Sequence, residues 1–197
     1  MIAEENFMAD LIESATAVLE LGCGVGRSIL PFIDKYPDKY FVGVDIAPYQ
    51  ISLFEQQIRQ RNATNVHALV ADASDLHSIS DKFDLVLICN HTFGNFLGEK
   101  RIGVLNEIDR LLTDNGVLMI GGFTNLGMAE ECYHEWGVKI QNIDYTSGFI
   151  ELEHYNSFWQ SEESVMRELL DFNLLCKRTR YIKLGYIKAF QKCDNKE

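Results

Sequence analysis

The sequence predicts an α/β protein with a doubly wound, mostly parallel sheet. Three observations carry that prediction: five short apolar runs recur along the first 120 residues, helical or turn-rich segments separate them, and a glycine cluster follows the first run. Continuous apolar strands alternating with helices imply a sheet buried on both faces, because right-handed crossovers lay helices on each side.

Ala17 to Leu21 is the first strand, Gly22-Cys23-Gly24-Val25-Gly26 is a turn, and Ser28 to Ile33 recovers helical spacing. Tyr40 to Asp45 is the second strand, and Gln50 to Arg61 is a polar helix with Ile51, Phe54 and Ile58 along one side. Val66 to Val70, the turn-rich Ala71 to Ser80, the strand Phe83 to Cys89, a helix from Lys100 to Leu112 and the strand Gly116 to Ile120 complete the parallel series. After Gly122 the pattern changes. Val138 to Ile143 and Phe149 to Tyr155 flank Thr146-Ser147-Gly148, which predicts a β-hairpin insertion. Ser161 is an N-cap for a helix through Phe172, with Glu162 and Glu163 favouring its start and Val165, Met166, Leu169 and Leu170 expected to face the sheet. A last strand from Tyr181 to Phe190 ends the chain's predicted elements.

Composition narrows the function classes. The chain has 197 residues, 47% of them hydrophobic and 24% charged, with Pro at 3, which disfavours disordered, collagen-like and repeat architectures. A net charge of −11 lacks the positive field that binding to a phosphate backbone requires, so nucleic acid is not an expected partner. Nor is a membrane, since no apolar run approaches the roughly 20 residues of a span. Acids rather than a basic leader occupy the first ten positions, and a cytoplasmic location is the expectation. Five cysteines without a CxxC pair fit thiols in a reducing compartment and give no metal-ligand spacing.

A glycine turn after a buried strand lets main-chain N–H groups approach a nucleotide-like ligand. The dinucleotide fingerprint fails here, because the sixth position is Arg27 counting from Gly22 and Ile29 counting from Gly24. Asp45 ends the second strand, where a carboxylate can accept two hydrogen bonds from a ribose diol, and Asp72 ends the third. Glu20 is an acid inside an apolar strand, and a buried carboxylate needs compensating donors or a cation. Open α/β sheets bind ligands at this carboxyl edge. Asp72 alone could equally be a turn former.

Glu20-Leu21-Gly22-Cys23-Gly24-Val25-Gly26-Arg27 resembles motif I of the class I S-adenosylmethionine-dependent methyltransferases, and Gly43-Val44-Asp45-Ile46 resembles their motif II. Cys89-Asn90-His91-Thr92-Phe93-Gly94-Asn95 resembles the N-T-L-G-N form of motif IV in the small-molecule enzymes, with His91 where Asn is common and Phe93 in place of Leu. The resemblance implies a Rossmann-like seven-stranded sheet whose last strand inserts antiparallel between the fifth and sixth. It implies S-adenosylmethionine as cofactor, released as S-adenosylhomocysteine. Glu20 would lie beneath the methionyl end, with Gly22, Cys23, Gly24, Gly26 and Arg27 forming the loop around the cofactor. Asp45 and Ile46 would hold the ribose side, Asp72 and Ala73 the adenine, and Asn90 would sit beside them. Asp84 is similar to a frequent structural acid of the family. His91 would stand next to the transferring methyl, where an imidazole with an ordinary pKa near 6.5 suits a general base. A histidine that only hydrogen-bonds main chain or the cofactor carboxylate is the other reading.

On this resemblance residues 1–197 form one domain, divided into a cofactor-binding half (1–122), an acceptor-pocket insertion (123–160) and a C-terminal helix and strand (161–197). The insertion is rich in aromatic residues, and Tyr133, Tyr155 and Trp159 join Thr92 as candidates for contacting a small-molecule acceptor. The same rings could instead be core or a homodimer contact. Lys177-Arg178-Thr179-Arg180 reads as a solvated face between helix and strand. In-line methyl transfer to oxygen or nitrogen of a small acceptor is the expected reaction. The rivals are an RNA or protein methyltransferase, disfavoured by the acidic charge and by the absence of an Asn/Asp-Pro-Pro-aromatic segment, and a cofactor-binding regulatory subunit without catalysis.

Overall fold

The structure, a computed structural model, describes residues 2–193. Its elements run α1 (Ile2–Ser14), β1 (Ala17–Leu21), α2 (Leu30–Ile33), β2 (Tyr40–Asp45), α3 (Pro48–Arg61), β3 (Val66–Val70) and β4 (Phe83–Ile88). A 3-10 turn (Thr92–Asn95), α4 (Glu99–Leu111), β5 (Leu112–Phe123), α5 (Ala129–Glu135), β6 (Ile140–Asp144), β7 (Phe149–Leu152) and β8 (Asn156–Phe158) follow. The chain then forms α6 (Glu162–Leu170), β9 (Leu174–Tyr181) and β10 (Gly185–Lys192).

Among the described residues seven strands make one sheet in the order β3-β2-β1-β4-β5-β10-β9. The first five are parallel, and β10 runs antiparallel to both β5 and β9. This is the Rossmann-like arrangement expected from the sequence, with the last strand inserted between the fifth and sixth. Period-two alternation divides the side chains between two cores. Val18, Phe41, Leu85 and Met119 pack with Phe7, Met8 and Ile12 of α1 and with Ile51 and Phe54 of α3. On the opposite face Leu19, Val42, Val86 and Leu118 pack with Val104 and Ile108 of α4 and with Val165 and Leu169 of α6. Burial on both sides explains why these strands lack polar alternation. Asp84 has the structural role anticipated for it: its Oδ2 accepts from Thr16 N at 2.9 Å and Ala17 N at 3.1 Å, fixing the start of β1.

Several elements differ from the expectation. The helix read from Ser28 begins only at Leu30, where Pro31 occupies the first turn, because a proline there lacks a donor that a helix start does not need. Helix α1 was not anticipated. The hairpin is a three-stranded antiparallel sheet, β6-β7-β8, with its own core of Ile150, Leu152, Cys132, Tyr133 and Trp159. Ser161 caps α6 through Ser164 N, but Met166 and Leu170 stand exposed and only Val165 and Leu169 are buried. The single last strand is two, β9 and β10 joined by a tight turn in which Ile182 N donates to Gly185 O. The Lys177–Arg180 cluster therefore lies on β9 itself, at the sheet edge, where charge discourages further strand pairing.

One buried ion pair ties α4 to α6. Arg101 Nε and Nη2 donate to the two carboxylate oxygens of Glu168 at 2.6 and 2.7 Å. Removing one partner of such a pair strands the other charge. Glu168→Ala is expected to lower stability by about 3 kcal/mol, and Glu168→Gln, which keeps an acceptor, by less. Urea denaturation midpoints of the two variants measure this.

Candidate active site

The glycine turn doubles back over β2. Gly22 and Cys23 N–H both donate to Val44 O, at 2.8 and 3.0 Å, and Gly24 N–H donates to Asp45 Oδ2 at 2.8 Å. Two of the glycines are required by close approach as well as by backbone conformation. A Cβ on Gly22, whose φ is 72°, would lie 2.3 Å from Thr92 Cγ2, and one on Gly26, at φ 78°, would lie 2.2 Å from the Phe54 ring. A Cβ on Gly24 would meet no protein atom within 4 Å, so that side of the turn is open.

The acids take up the expected edge. Asp45 accepts Gly24 N on one oxygen and Ala47 N on the other, at 2.9 Å. A carboxylate offers about four lone-pair directions, so it keeps capacity for a diol. Ile46 beside it is 61% exposed and Val70 51%, an apolar rim at the ends of β2 and β3. Glu20 is 1% exposed, and its charge, with burial as the larger cause, pushes the Cys23 thiol well above its ordinary value. The Cys23 side chain turns onto β2, where a Cβ on Gly43 would come within 2.9 Å of its Sγ, so only main chain of Cys23 faces the rim. Arg27 is exposed and Ala73 buried. Asp72 is a turn former, the alternative its sequence position leaves open. Its Oδ1 accepts Ser74 N at 3.0 Å and Ser74 Oγ at 2.7 Å, while Lys100 Nζ lies 2.9 Å from Oδ2. These donors, the Ser74 N–H first, lower its pKa to about 2.

After β4, Asn90 and His91 both adopt left-handed backbone, with φ 51° and 65°. Asn90 is exposed, whereas His91 is buried. The imidazole stacks on Phe123 at 4.7 Å, meets Trp159 edge-on, and accepts Phe123 N–H on Nδ1 at 2.9 Å. The ordinary pKa that suited it to a base does not hold in this setting. Burial, with Arg101 adding repulsion, lowers its pKa to about 3. The ring is therefore neutral, and its lone pair on Nδ1 is engaged. Thr92, next in the chain, packs on Gly22 and joins this loop to the glycine turn.

The aromatic candidates divide. Tyr133 and Trp159 are buried, joined by Trp159 Nε1–H donating to Tyr133 Oη at 3.1 Å, and form the core of the small sheet that covers His91. Tyr155 stands half exposed. The sequence reading missed Arg101 and Gln160, whose side chains meet at 2.5 Å. Both line a groove of about 390 Å³ with Leu97, Phe158, Ser164 and Arg167. A charged residue early in a polar helix gave no signal that it would be buried. Among the described residues no cluster of three or more His, Cys, Asp or Glu is placed to hold a metal ion, and no helix is long and apolar enough to cross a membrane.

The neutral His91 ties stability to pH. Its folded pKa lies below the unfolded value of about 6.5, so above that pH it contributes no slope. As pH falls below about 6.5 the unfolded chain takes up a proton that the folded chain refuses, and stability drops by up to about 1.4 kcal/mol per pH unit until about pH 3. Unfolding midpoints of wild type and His91→Asn between about pH 4 and 8 should therefore diverge only on the acid side, wild type having the steeper loss.

The comparisons with known proteins agree with this geometry. A family model described as a methyltransferase domain matches residues 18–116. The malonyl-[acyl-carrier protein] O-methyltransferase of Paenibacillus sp. (strain JDR-2) is 30% identical over 132 residues, 63% of this chain and 47% of that protein. The chain spans less than half the length of the first curated relatives it matches. Among solved structures, the PH0226 protein from Pyrococcus horikoshii OT3 has a TM-score of 0.76 at 21% identity, covering 95% of this chain and 87% of that one. An S-adenosylmethionine-dependent methyltransferase from Clostridium acetobutylicum ATCC 824 has a TM-score of 0.75 at 15% identity, covering 97% and 91%. Likeness at these identities is likeness of fold. The family match runs from β1 into β5 and takes in the glycine turn, the strand-end acids and the loop after β4, and by it the chain belongs to the methyltransferase-domain family.

Proposed function

We propose that this chain transfers a methyl group from S-adenosylmethionine to oxygen or nitrogen of a small-molecule acceptor. The observation that carries the reading is the pairing of the glycine turn with Asp45, which leaves an open Gly24 side beside a carboxylate with unused lone pairs and the exposed apolar Ile46. That set fits an adenosyl group: a polar diol partner, an apolar face, and a main-chain turn close enough for the methionyl end. Gly22, Gly24, Gly26 and the main chain of Cys23 would form the cradle, with Glu20 beneath it and Arg27 and Asn90 at its rim. Asp72 and Ala73 would border the adenine. When bound, the cofactor supplies a methyl on a positively charged sulfur, which is already an activated leaving group.

The protein's share is alignment and exclusion of water. Thr92, wedged against Gly22, fixes the loop after β4 relative to the cradle. His91 serves that alignment as a neutral ring and removes no proton. The groove lined by Leu97, Phe158, Gln160 and Ser164 adjoins the His91 surroundings through Arg101, Phe158 and Gln160, and is the proposed way in for the acceptor. Its mixed lining suits a small polar molecule. Residues 129–160 carry six carboxylates against Lys139 alone, so the covering unit repels a nucleic-acid backbone. Tyr155, half exposed, remains a candidate acceptor contact, while Tyr133 and Trp159 support it from within.

Two measurements test this. Asp45→Ala should weaken S-adenosylmethionine binding by about 1.5–3 kcal/mol, the scale of hydrogen bonds to a charged group. Calorimetry reads this directly, and a wild type that binds NAD but neither S-adenosylmethionine nor S-adenosylhomocysteine refutes the proposal. Leu97→Trp, which fills the groove, should leave cofactor affinity within about twofold and reduce methyl transfer by at least about tenfold in a radiolabel assay against small-molecule pools.

A further inference from the structure

Of the two ring nitrogens of His91, Nδ1 is engaged and Nε2 is not. Because the Phe123 N–H points at Nδ1, the neutral ring carries its proton on Nε2. Nε2 is buried and has no hydrogen-bond partner. Buried donors are rarely left so, since each costs the desolvation of the group. Next to it is a cavity of about 10 Å³ walled by His91, Gly94, Arg101, Gly122, Phe158 and Tyr186, near the least volume that holds one water.

Two glycines keep that space. A Cβ on Gly94 would lie 2.2 Å from His91 Nε2 and 2.8 Å from Phe158 O, and one on Gly122 would lie 2.6 Å from Tyr186 Oη. Neither has a left-handed φ, so what these positions demand is room rather than conformational freedom. Arg101 cannot supply the missing partner, being a donor only, and its N–H groups already point to Glu168, Gln160 and the Phe93 and Phe96 carbonyls. Gln160 accepts from Arg101 and donates to Ser164 Oγ.

We propose that this cavity is a structural-water site, in which one buried water accepts the Nε2 proton of His91 and donates to Phe158 O and Tyr186 Oη. His91 is then a positioning residue that fastens the loop after β4 to β5 through Nδ1 and to β8 and β10 through the water. The charged and titratable groups facing it are Arg101 on α4, with Glu168 of α6 behind it, Tyr186 on β10, and Tyr133 on α5 one ring further out; Cys89 lies two residues before it. Arg101 and burial both oppose a second proton, so the ring stays a neutral donor. The inference depends on neither cofactor nor acceptor.

The test uses the full chain without cofactor, labelled with 15N-histidine and assigned by loss of one signal set in His91→Asn. Expected are a protonated Nε2 and an unprotonated Nδ1, unchanged from about pH 5 to 8, with a cross-peak from the Nε2 proton to a bound water. Titration of this ring within that range, a proton on Nδ1, or an Nε2 proton with no water contact overturns the proposal. Tyr186→Phe removes one of the water's partners and should speed exchange of the Nε2 proton by about tenfold. An unchanged rate with an unchanged water cross-peak removes Tyr186 from the network and overturns the proposed geometry.

Discussion

The site depends on one close approach. Thr92 Cγ2 occupies the place where a side chain on Gly22 would be, so the loop after β4 packs a side chain directly on the main chain of the turn after β1. Nothing larger than glycine fits there. The consequence is that two loops from adjacent strands, each held by its own hydrogen bonds, meet at one edge. Gly22 and Cys23 are anchored on Val44 O, and His91 N is anchored on Gly121 O. Geometry at the carboxyl edge is therefore set by the sheet, through short links to β2 and β5, and not by flexible side chains.

Charge is distributed to match. Asp45 and Asp72 each accept main-chain N–H groups, which keeps their carboxylates in place without a cation buried beside them. Lys100 reaches Asp72 only at the exposed rim, where an ion pair contributes little. The buried cation beside His91, Arg101, is neutralised by Glu168 in a bidentate pair and also lies 3.9 Å above the Phe93 ring. Its remaining influence is repulsion of positive charge at His91. Under the proposed function, a site built this way would tolerate a cationic sulfonium along the acidic edge while keeping the imidazole neutral.

The first half of the fold was legible because burial on both faces of a parallel sheet leaves unbroken apolar runs, and β1, β2 and β3 end where the sequence places their ends. The glycine turn and Asp45 were legible because main-chain approach and strand-end position are local properties. What was not legible depends on distant partners. Lys177 to Arg180 lie on an edge strand whose register shifts at Lys177 and which keeps three of the four exposed, a pattern that reads as a solvated connection until β10 is there to pair with it. Tyr133 and Trp159 could not be told from pocket residues, since a buried core ring and a ligand-stacking ring have the same sequence signature and only the fold, which buries both rings and joins them by a hydrogen bond, separates them. Arg101 is the extreme case, because its burial requires Glu168, 67 residues later.

His91 shows how neighbours distant in sequence set the chemistry of a side chain. The resemblance places it beside the reacting methyl, and its free imidazole would titrate near neutrality, so a base is the natural reading. Three neighbours reverse that reading: Phe123 N–H claims Nδ1, the Trp159 ring with that of Phe123 buries the imidazole away from bulk solvent, and Arg101 repels an added proton. None is adjacent in sequence. A ring so placed cannot take up a proton without losing the Phe123 hydrogen bond and charging a buried group next to a guanidinium. Methyl transfer at a sulfonium needs chiefly that donor and acceptor be held in line. Under the proposed function a neutral His91, fixed at the junction of β4 and β5 beside Thr92, would add to that alignment, since its protonation stays the same through the neutral range.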